Sequence, residues 1–205
     1  TLMKNPIIQA LLVPAMIAVL NLIPAGCVTA QTFTILHSFT ATADNDIPYF
    51  PNSDGAGPNG LVLSSNTLYG TAYYGGSGGA GTVFAVNTNG TGFTNLHIFH
   101  GSDGSSLYGC LILSGNTLYG APSYGGNAGG GTVFKVNTDG TGFINLHSFN
   151  YSADGGYPRA GLILSGNTLY GTAFGGGSSG YGTVFAIRTD GTGFTNLYKF
   201  TFTSF

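Results

Sequence analysis

The chain contains no tryptophan and no glutamate, and five Lys or Arg and seven Asp are all its formal charges in 205 residues. A net charge of −2 leaves no basic stripe to neutralise phosphates, so neither RNA nor DNA is expected as a partner. Cysteine is scarce as well. Cys27 lies in the leader and Cys110 stands alone after it, which excludes an internal disulfide framework; Cys110 takes the repeat position of Gly60 and Gly161 and is expected to be a small buried residue. No long 3.6-residue period runs through the chain after residue 30, which argues against helices there. Glycine is abundant instead, with 36 copies that follow no collagen period, and Leu, Val, Ile and Phe recur in regular blocks that a disordered tract would not need.

The first thirty residues carry their own pattern. Lys4 follows Met3, Ile7–Leu22 is mostly apolar, and Val28-Thr29-Ala30 places small residues before Gln31. This is the layout of a secretory signal peptide over 1–30, predicting a secreted or extracytoplasmic chain, surface-attached in one version of that reading. An uncleaved anchor is the competing reading, because Ile7–Ala25 is nearly long enough to span a bilayer. A lipid on Cys27 is disfavoured by Pro24, which stands where an aliphatic residue is wanted.

Beyond the leader, one phrase organises the sequence. It begins at Ser65 (SNTLYGTAYYGGSGGAGTVFAVNTNGTGFTNLHIF), returns at Gly115 (GNTLYGAPSYGGNAGGGTVFKVNTDGTGFINLHSF) and again at Gly166 (GNTLYGTAFGGGSSGYGTVFAIRTDGTGFTNLYKF), so that Asn66, Asn116 and Asn167 are 50 and 51 residues apart. A fixed period of this length means stacked supersecondary units. Each unit holds four apolar runs. The first (Leu61-Val62-Leu63, Leu111-Ile112-Leu113, Leu162-Ile163-Leu164) reads as a strand buried on both faces. Thr-Leu-Tyr-Gly, Gly-Thr-Val-Phe and Leu-His-x-Phe follow, the last two joined by Asn89-Gly90, Asp139-Gly140 or Asp190-Gly191. Such pairs supply the positive φ that tight hairpins need, so the strands within a unit are antiparallel and a parallel β-helix is disfavoured.

The expected fold is therefore all-β: a β-propeller-type repeat of four-stranded antiparallel blades, three over residues 60–205, with a lead-in over 31–59. Gln31–Phe39 matches a fourth strand without the other three of its blade, and a polar stretch with Asp44, Asp46 and Pro48 follows. Three blades are not expected to close a ring. Their open edges predict either a longer natural chain or a homo-oligomer.

The phrases GNTLYGTA, GG followed by GTVF, and DGTGFxNLHxF resemble the GloVer tandem repeat of bacterial extracytoplasmic proteins, over roughly 32–200. That resemblance implies an exported, often surface-associated protein with a propeller-like repeat and no firmly attached activity. Such repeats commonly precede a C-terminal sorting segment, for which no signal is seen before Phe205.

Alternation of connections places the long loops 73–81, 123–131 and 174–182 and the inter-blade loops 100–109 and 150–160 on one face. That face gathers Tyr73, Tyr74, Asp103, Tyr108, Tyr124, Asp154, Tyr157, Arg159 and Tyr181. Aromatic platforms beside carboxylate and guanidinium groups suit neutral glycans, with packing of tyrosines over the blades as the alternative. A surface protein is the other ligand class expected there.

Catalytic and cofactor chemistry find little support. His37, His97 and His147 share one repeat position, which spreads them by at least a sheet spacing of ~10 Å, whereas zinc gathers its ligands at ~2 Å. Neither a metal nor a cofactor is expected. The glycine-rich loops lack the Lys-Ser/Thr and the helix of a phosphate cradle, and the NTDGTG turns lack the acidic run and closing Glu of a calcium loop. Asp54, Asp103 and Asp154 are repeat-related and so dispersed, unlike a glycosidase pair. The expectation is a secreted or cell-surface, non-enzymatic binding or structural module that leaves the membrane once its signal is cut. The alternative is a polysaccharide-active enzyme with its catalytic residues in unique loops such as 40–59 or in a downstream portion.

Overall fold

The computed structural model describes residues 33–40 and 51–202. The chain divides into two compact units, 1–34 and 35–205, and the second holds the repeat. The signal peptide, Cys27 and the Asp44–Pro48 stretch lie outside the described residues.

Among the described residues, twelve strands form three four-stranded antiparallel sheets, each with its strands in chain order. Sheet 1 contains β1 (Ala56–Ser64), β2 (Thr67–Tyr74), β3 (Thr82–Asn87) and β4 (Thr94–Ile98). Sheet 2 contains β5 (Ile112–Ser114), β6 (Thr117–Gly120), β7 (Thr132–Asn137) and β8 (Ile144–Ser148). Sheet 3 contains β9 (Ile163–Ser165), β10 (Thr168–Ala173), β11 (Thr183–Arg188) and β12 (Thr195–Lys199). The all-β, four-stranded antiparallel expectation is met, with one addition. A single turn of helix, α1 (Tyr151–Asp154), is capped by the Asn150 side chain, which accepts from the Ser152 N–H.

Turn chemistry sets the register. The first hairpin of each sheet closes through two residues, with Ser64 opposite Thr67, and Ser65, Gly115 and Gly166 take φ of 50°, 56° and 56°. In the third-to-fourth turns the Asp139 carboxylate accepts from the Thr141 N–H at 2.9 Å and hydroxyl at 2.7 Å, and Asp190 holds Thr192 in the same way. These Asp residues build Asx turns. In the second strands Gly120 lies opposite Phe134, and a β-carbon there would stand 2.6 Å from the Phe134 ring. The closing Gly of Thr-Leu-Tyr-Gly is therefore demanded by close approach rather than by a turn.

Alternation along the strands gives every sheet two apolar faces. We call the face with Leu68, Phe84 and Val86 the front of sheet 1, and that with Tyr69, Val83 and Ala85 its back. The back of sheet 1 meets the front of sheet 2 in one core, where Val83, Phe99, Leu118, Phe134 and Val136 are fully or almost fully buried. Sheet 2 repeats the arrangement against sheet 3, burying Val133, Phe149, Leu169, Phe185 and Ile187. Each core is thus made by two consecutive repeats.

Three sequence expectations are corrected here. The first strands are not buried on both faces throughout: Leu61 and Leu63 are 53% and 58% exposed and Ile163 is 68% exposed, because a face is covered only where another sheet stands against it. Sheet 1 begins at Ala56 rather than at residue 60, since β1 continues past a register shift between Pro58 and Leu61 to pair as far as Tyr74. Cys110, expected to be buried, is exposed; it precedes β5, the edge strand of sheet 2, and lies beside its repeat counterparts Gly60 and Gly161. The lead-in also differs from its reading. Residues 33–40 form no strand, although Leu36, His37 and Phe39 keep the side-chain contacts of a fourth strand.

Candidate functional site

The long-loop face holds two kinds of side-chain group, one that fastens the sheets and one that opens to solvent. The fastening group is repeated three times. His97 Nε2 meets the Asp103 carboxylate at 2.9 Å and lies flat on Phe143 of the next repeat, with ring centroids 3.5 Å apart. His147 meets Asp154 at 2.7 Å and stacks on Phe194 at 3.7 Å. His37 meets Asp54 at 2.9 Å and stacks on Phe93 at 3.6 Å. Each Asp also receives a backbone N–H, from His100, Asn150 or Thr40, and its own carbonyl accepts from Thr132, Thr183 or Thr82.

Burial drives the pKa values of His97 and His147 below the ordinary histidine range, against the opposing pull of their Asp partners. Neutral imidazoles result near pH 7. Burial works to raise the Asp54 carboxyl but is outweighed by the bonds from Thr40 and His37, which hold it below the usual value. These latches occupy Asp103 and Asp154. Both had been counted among ligand-facing residues on the strength of their loop position, and the structure instead commits their carboxylates to half-buried hydrogen bonds.

The open group is tyrosine-rich. Tyr73, Tyr74, Tyr108 and Tyr124 line one pocket of about 640 Å³ together with His100, Ser105 and Ser106 and the glycines of the β2–β3 loop. Tyr73 and Tyr74 end β2, Tyr108 comes from the loop joining sheets 1 and 2, and Tyr124 follows β6, so two repeats build the site. The Tyr73 and Tyr108 hydroxyls share a hydrogen bond at 2.5 Å and their rings meet edge-on at 4.4 Å. That bond, with smaller help from burial, pushes the Tyr108 pKa up to about 12. Burial would raise Tyr73 too, yet its bonds to Tyr108, Tyr74 and Ser106 outweigh it and lower the pKa.

Around this pocket the remaining expected residues divide. Arg159 places its guanidinium 3.9 Å from the Phe174 ring centroid and 5.9 Å from that of Tyr108, extending the aromatic surface toward sheet 3. Tyr157 stands behind Tyr124 at 5.0 Å and beside Tyr151 at 5.2 Å. It does so at φ +59°, in a repeat position that Gly57 fills at +67° and Ser106 at +60°. A bulky residue in that region carries a backbone cost of about 1–2 kcal/mol. Tyr181 is drawn away and stacks on Phe202 at 5.8 Å.

The Gloeobacter/Verrucomicrobia repeat pattern matches residues 26–204, from before the lead-in to the end of sheet 3. This chain belongs to that family. In this Gloeobacter/Verrucomicrobia repeat protein the three-sheet array, Ala56 to Lys199, lies wholly within the matched residues. No curated protein matches the chain. Among solved structures, a nidogen/laminin complex aligns with 19% identity and a TM-score of 0.49, over 69% of this chain and 48% of that one. The tricorn protease aligns with 14% identity and a TM-score of 0.46, over 72% of this chain and 13% of that one. The repeat protein thus spans about half the length of the first and a small part of the second.

Sequence reading of the repeat missed His100, Phe174 and Tyr151 as members of the open face. His100 has no partner visible in sequence, and no motif singles out Phe174 or Tyr151. Aligning the three repeats offers one signal: Tyr73, Ser123 and Phe174 occupy one position and differ there in size and polarity.

Proposed function

We propose that this protein is a secreted or surface-displayed, non-enzymatic binding module whose pocket takes a neutral glycan. The observation that carries the reading is the convergence of Tyr73, Tyr74, Tyr108 and Tyr124 from two repeats around one solvent-open pocket of about 640 Å³. Ring faces suit the apolar faces of sugars, while phenol hydroxyls, the His100 ring and loop amides suit their hydroxyl groups. The site offers no strong field to a charged ligand, for Arg159 is its nearest cation and rests on Phe174. Among the described residues, the carboxylates Asp103 and Asp154 of this face are engaged in the histidine latches, which favours binding over hydrolysis.

The test is calorimetric titration against a panel of neutral oligosaccharides, with product analysis of the same mixtures. Binding without turnover is expected, and Tyr124→Ala or Tyr108→Ala weakens it about two- to tenfold, the loss of one stacked ring at roughly 0.5–1.5 kcal/mol. Tyr181→Ala leaves it unchanged. Equal loss on Tyr181→Ala, or saccharide release from any polymer, refutes the assignment. Export is checked separately, by recovering from the culture medium a chain that begins at Gln31.

A further inference from the structure

The molecule builds the same interface twice, and its two terminal sheets each expose one half of a third. In the first core the back of sheet 1 offers Val62, Tyr69, Val83 and Ala85 to Leu111, Leu113, Leu118, Phe134 and Val136 on the front of sheet 2. In the second, Ile112, Tyr119 and Val133 meet Leu162, Leu164, Leu169, Phe185 and Ile187. The front of sheet 1 carries the matching set, Leu61, Leu63, Leu68, Phe84 and Val86; Leu61, Leu68, Phe84 and Val86 share a cavity of about 280 Å³ with Leu36 and Phe39 of the lead-in, and Phe84 and Val86 are each 4% exposed. The back of sheet 3 carries Ile163, Tyr170, Val184 and Ala186 in the positions of Ile112, Tyr119, Val133 and Lys135. Leu61 and Leu63 are 53% and 58% exposed, whereas Leu111 is 6% exposed in the same role.

We propose that a second copy of this chain covers these faces, the back of sheet 3 of each copy seating on the front of sheet 1 of the other. The contact continues, residue for residue, the interface already formed at both internal junctions. It is heterologous, so it must close a ring or propagate. Two copies of three sheets give six, within the range of roughly 4–8 at which propellers close. The inference is independent of the glycan reading.

One slot in this contact is contested. Leu36 and Phe39 already lie on the front of sheet 1 as Leu96 and Phe99 lie on sheet 2, with Phe39 5.4 Å from Phe84 and Phe99 5.3 Å from Phe134. An arriving sheet 3 brings Leu197 and Phe200 to the same place. The lead-in holds it by the His37–Asp54 latch, whereas Tyr198 replaces the histidine in β12, and Phe200 is 46% exposed where Phe99 and Phe149 are fully buried. Strand β12 therefore yields. Its ladder with β11 is replaced by the lead-in of the other copy, whose residues 35–39 pair with no strand in the monomer.

Light scattering of the full chain tests this together with two charge substitutions at exposed positions, Leu63→Glu on the front and Ile163→Glu on the back. The wild type is expected to be a dimer. Each variant alone is expected to be monomeric, with association weakened about a hundredfold or more because a carboxylate must enter an apolar contact. A mixture of the two variants re-forms a 1:1 heterodimer through the one interface left intact. Should either charge unfold the chain by circular dichroism, Leu63→Gln and Ile163→Gln repeat the comparison. Phe200→Ser leaves the dimer in place and Phe39→Ser weakens it; the reverse order overturns the strand exchange. A monomeric wild type overturns the proposal and leaves these faces to another repeat or a different protein. A dimer indifferent to both charges, one sensitive only to the front substitution, or open polymers that grow with concentration each overturn it as well.

Discussion

Removing the Asp154 carboxylate should destabilise the protein far more than removing a carboxylate from an exposed turn. Two bonds are lost, from His147 Nε2 at 2.7 Å and from the Asn150 N–H at 2.7 Å, while the bond from Thr183 to the Asp154 carbonyl survives because it is to backbone. Hydrogen bonds to a charged group contribute about 1.5–3 kcal/mol each, and a side chain 18% exposed retains much of that, so Asp154→Ala should cost about 3 kcal/mol. With a urea dependence of about 2 kcal/mol per molar, the unfolding midpoint drops by about 1.5 M. Asp190→Ala is the control: it also loses two bonds, but at an exposed turn, and its midpoint should hardly move.

The same latch dictates a pH signature. In the folded chain the pKa values of His97 and His147 lie below the ordinary value of 6.5, so between the two values the unfolded chain binds more protons. Stability therefore falls as pH drops below about 6.5, and is fully present above it. A second loss begins only near pH 3.8, where Asp54, whose folded pKa is depressed, starts to protonate in the unfolded chain. In Asp154→Ala the carboxylate no longer supports the imidazolium, so the upper of the two slopes steepens. Urea midpoints measured from pH 8 to pH 5 that are flat in both proteins, or a midpoint shift in Asp154→Ala no larger than in Asp190→Ala, would show the latch to be ornamental.

Two further perturbations separate packing from chemistry. Gly120→Ala places a methyl 2.6 Å from the Phe134 ring and should cost about 1–3 kcal/mol in thermal or urea unfolding; a neutral result means that the sheet 1–sheet 2 core can shift to admit it. Tyr73→Phe removes the hydroxyl bond between Tyr73 and Tyr108, so the phenolate absorbance of Tyr108 should titrate clearly below its present value of about 12 with the fold intact, and an unmoved titration refutes the coupling.

The strands and their antiparallel order were legible because each rests on local chemistry. Alternation, X-Gly turns and a tripled phrase left little choice. The latches were not legible. His97 and Asp103 are six residues apart and His37 and Asp54 seventeen, and only the path of the loop brings either pair together. Spacing alone showed histidines too dispersed for a shared metal and aspartates on a loop face, but not that each group was the other's partner. The tyrosine pocket was legible in composition and face, since Tyr73, Tyr74, Tyr108 and Tyr124 do meet there. Tyr181 was misplaced because nothing in the repeat marked Phe202 as its partner.

Nearly identical repeats create a problem for a chain that must find its own structure, because a strand from one unit can pair almost equally well with its counterparts in the others. The latches discriminate among these pairings by time. His97 and His147 reach Asp103 and Asp154 across six and seven residues, a closure far quicker than any encounter between units some fifty residues apart. Each fourth strand is thereby tied to the loop that launches the next unit before distant copies can compete. Order along the chain becomes order in space, and the error most dangerous to a repetitive sequence, pairing with the wrong copy of itself, is left behind kinetically.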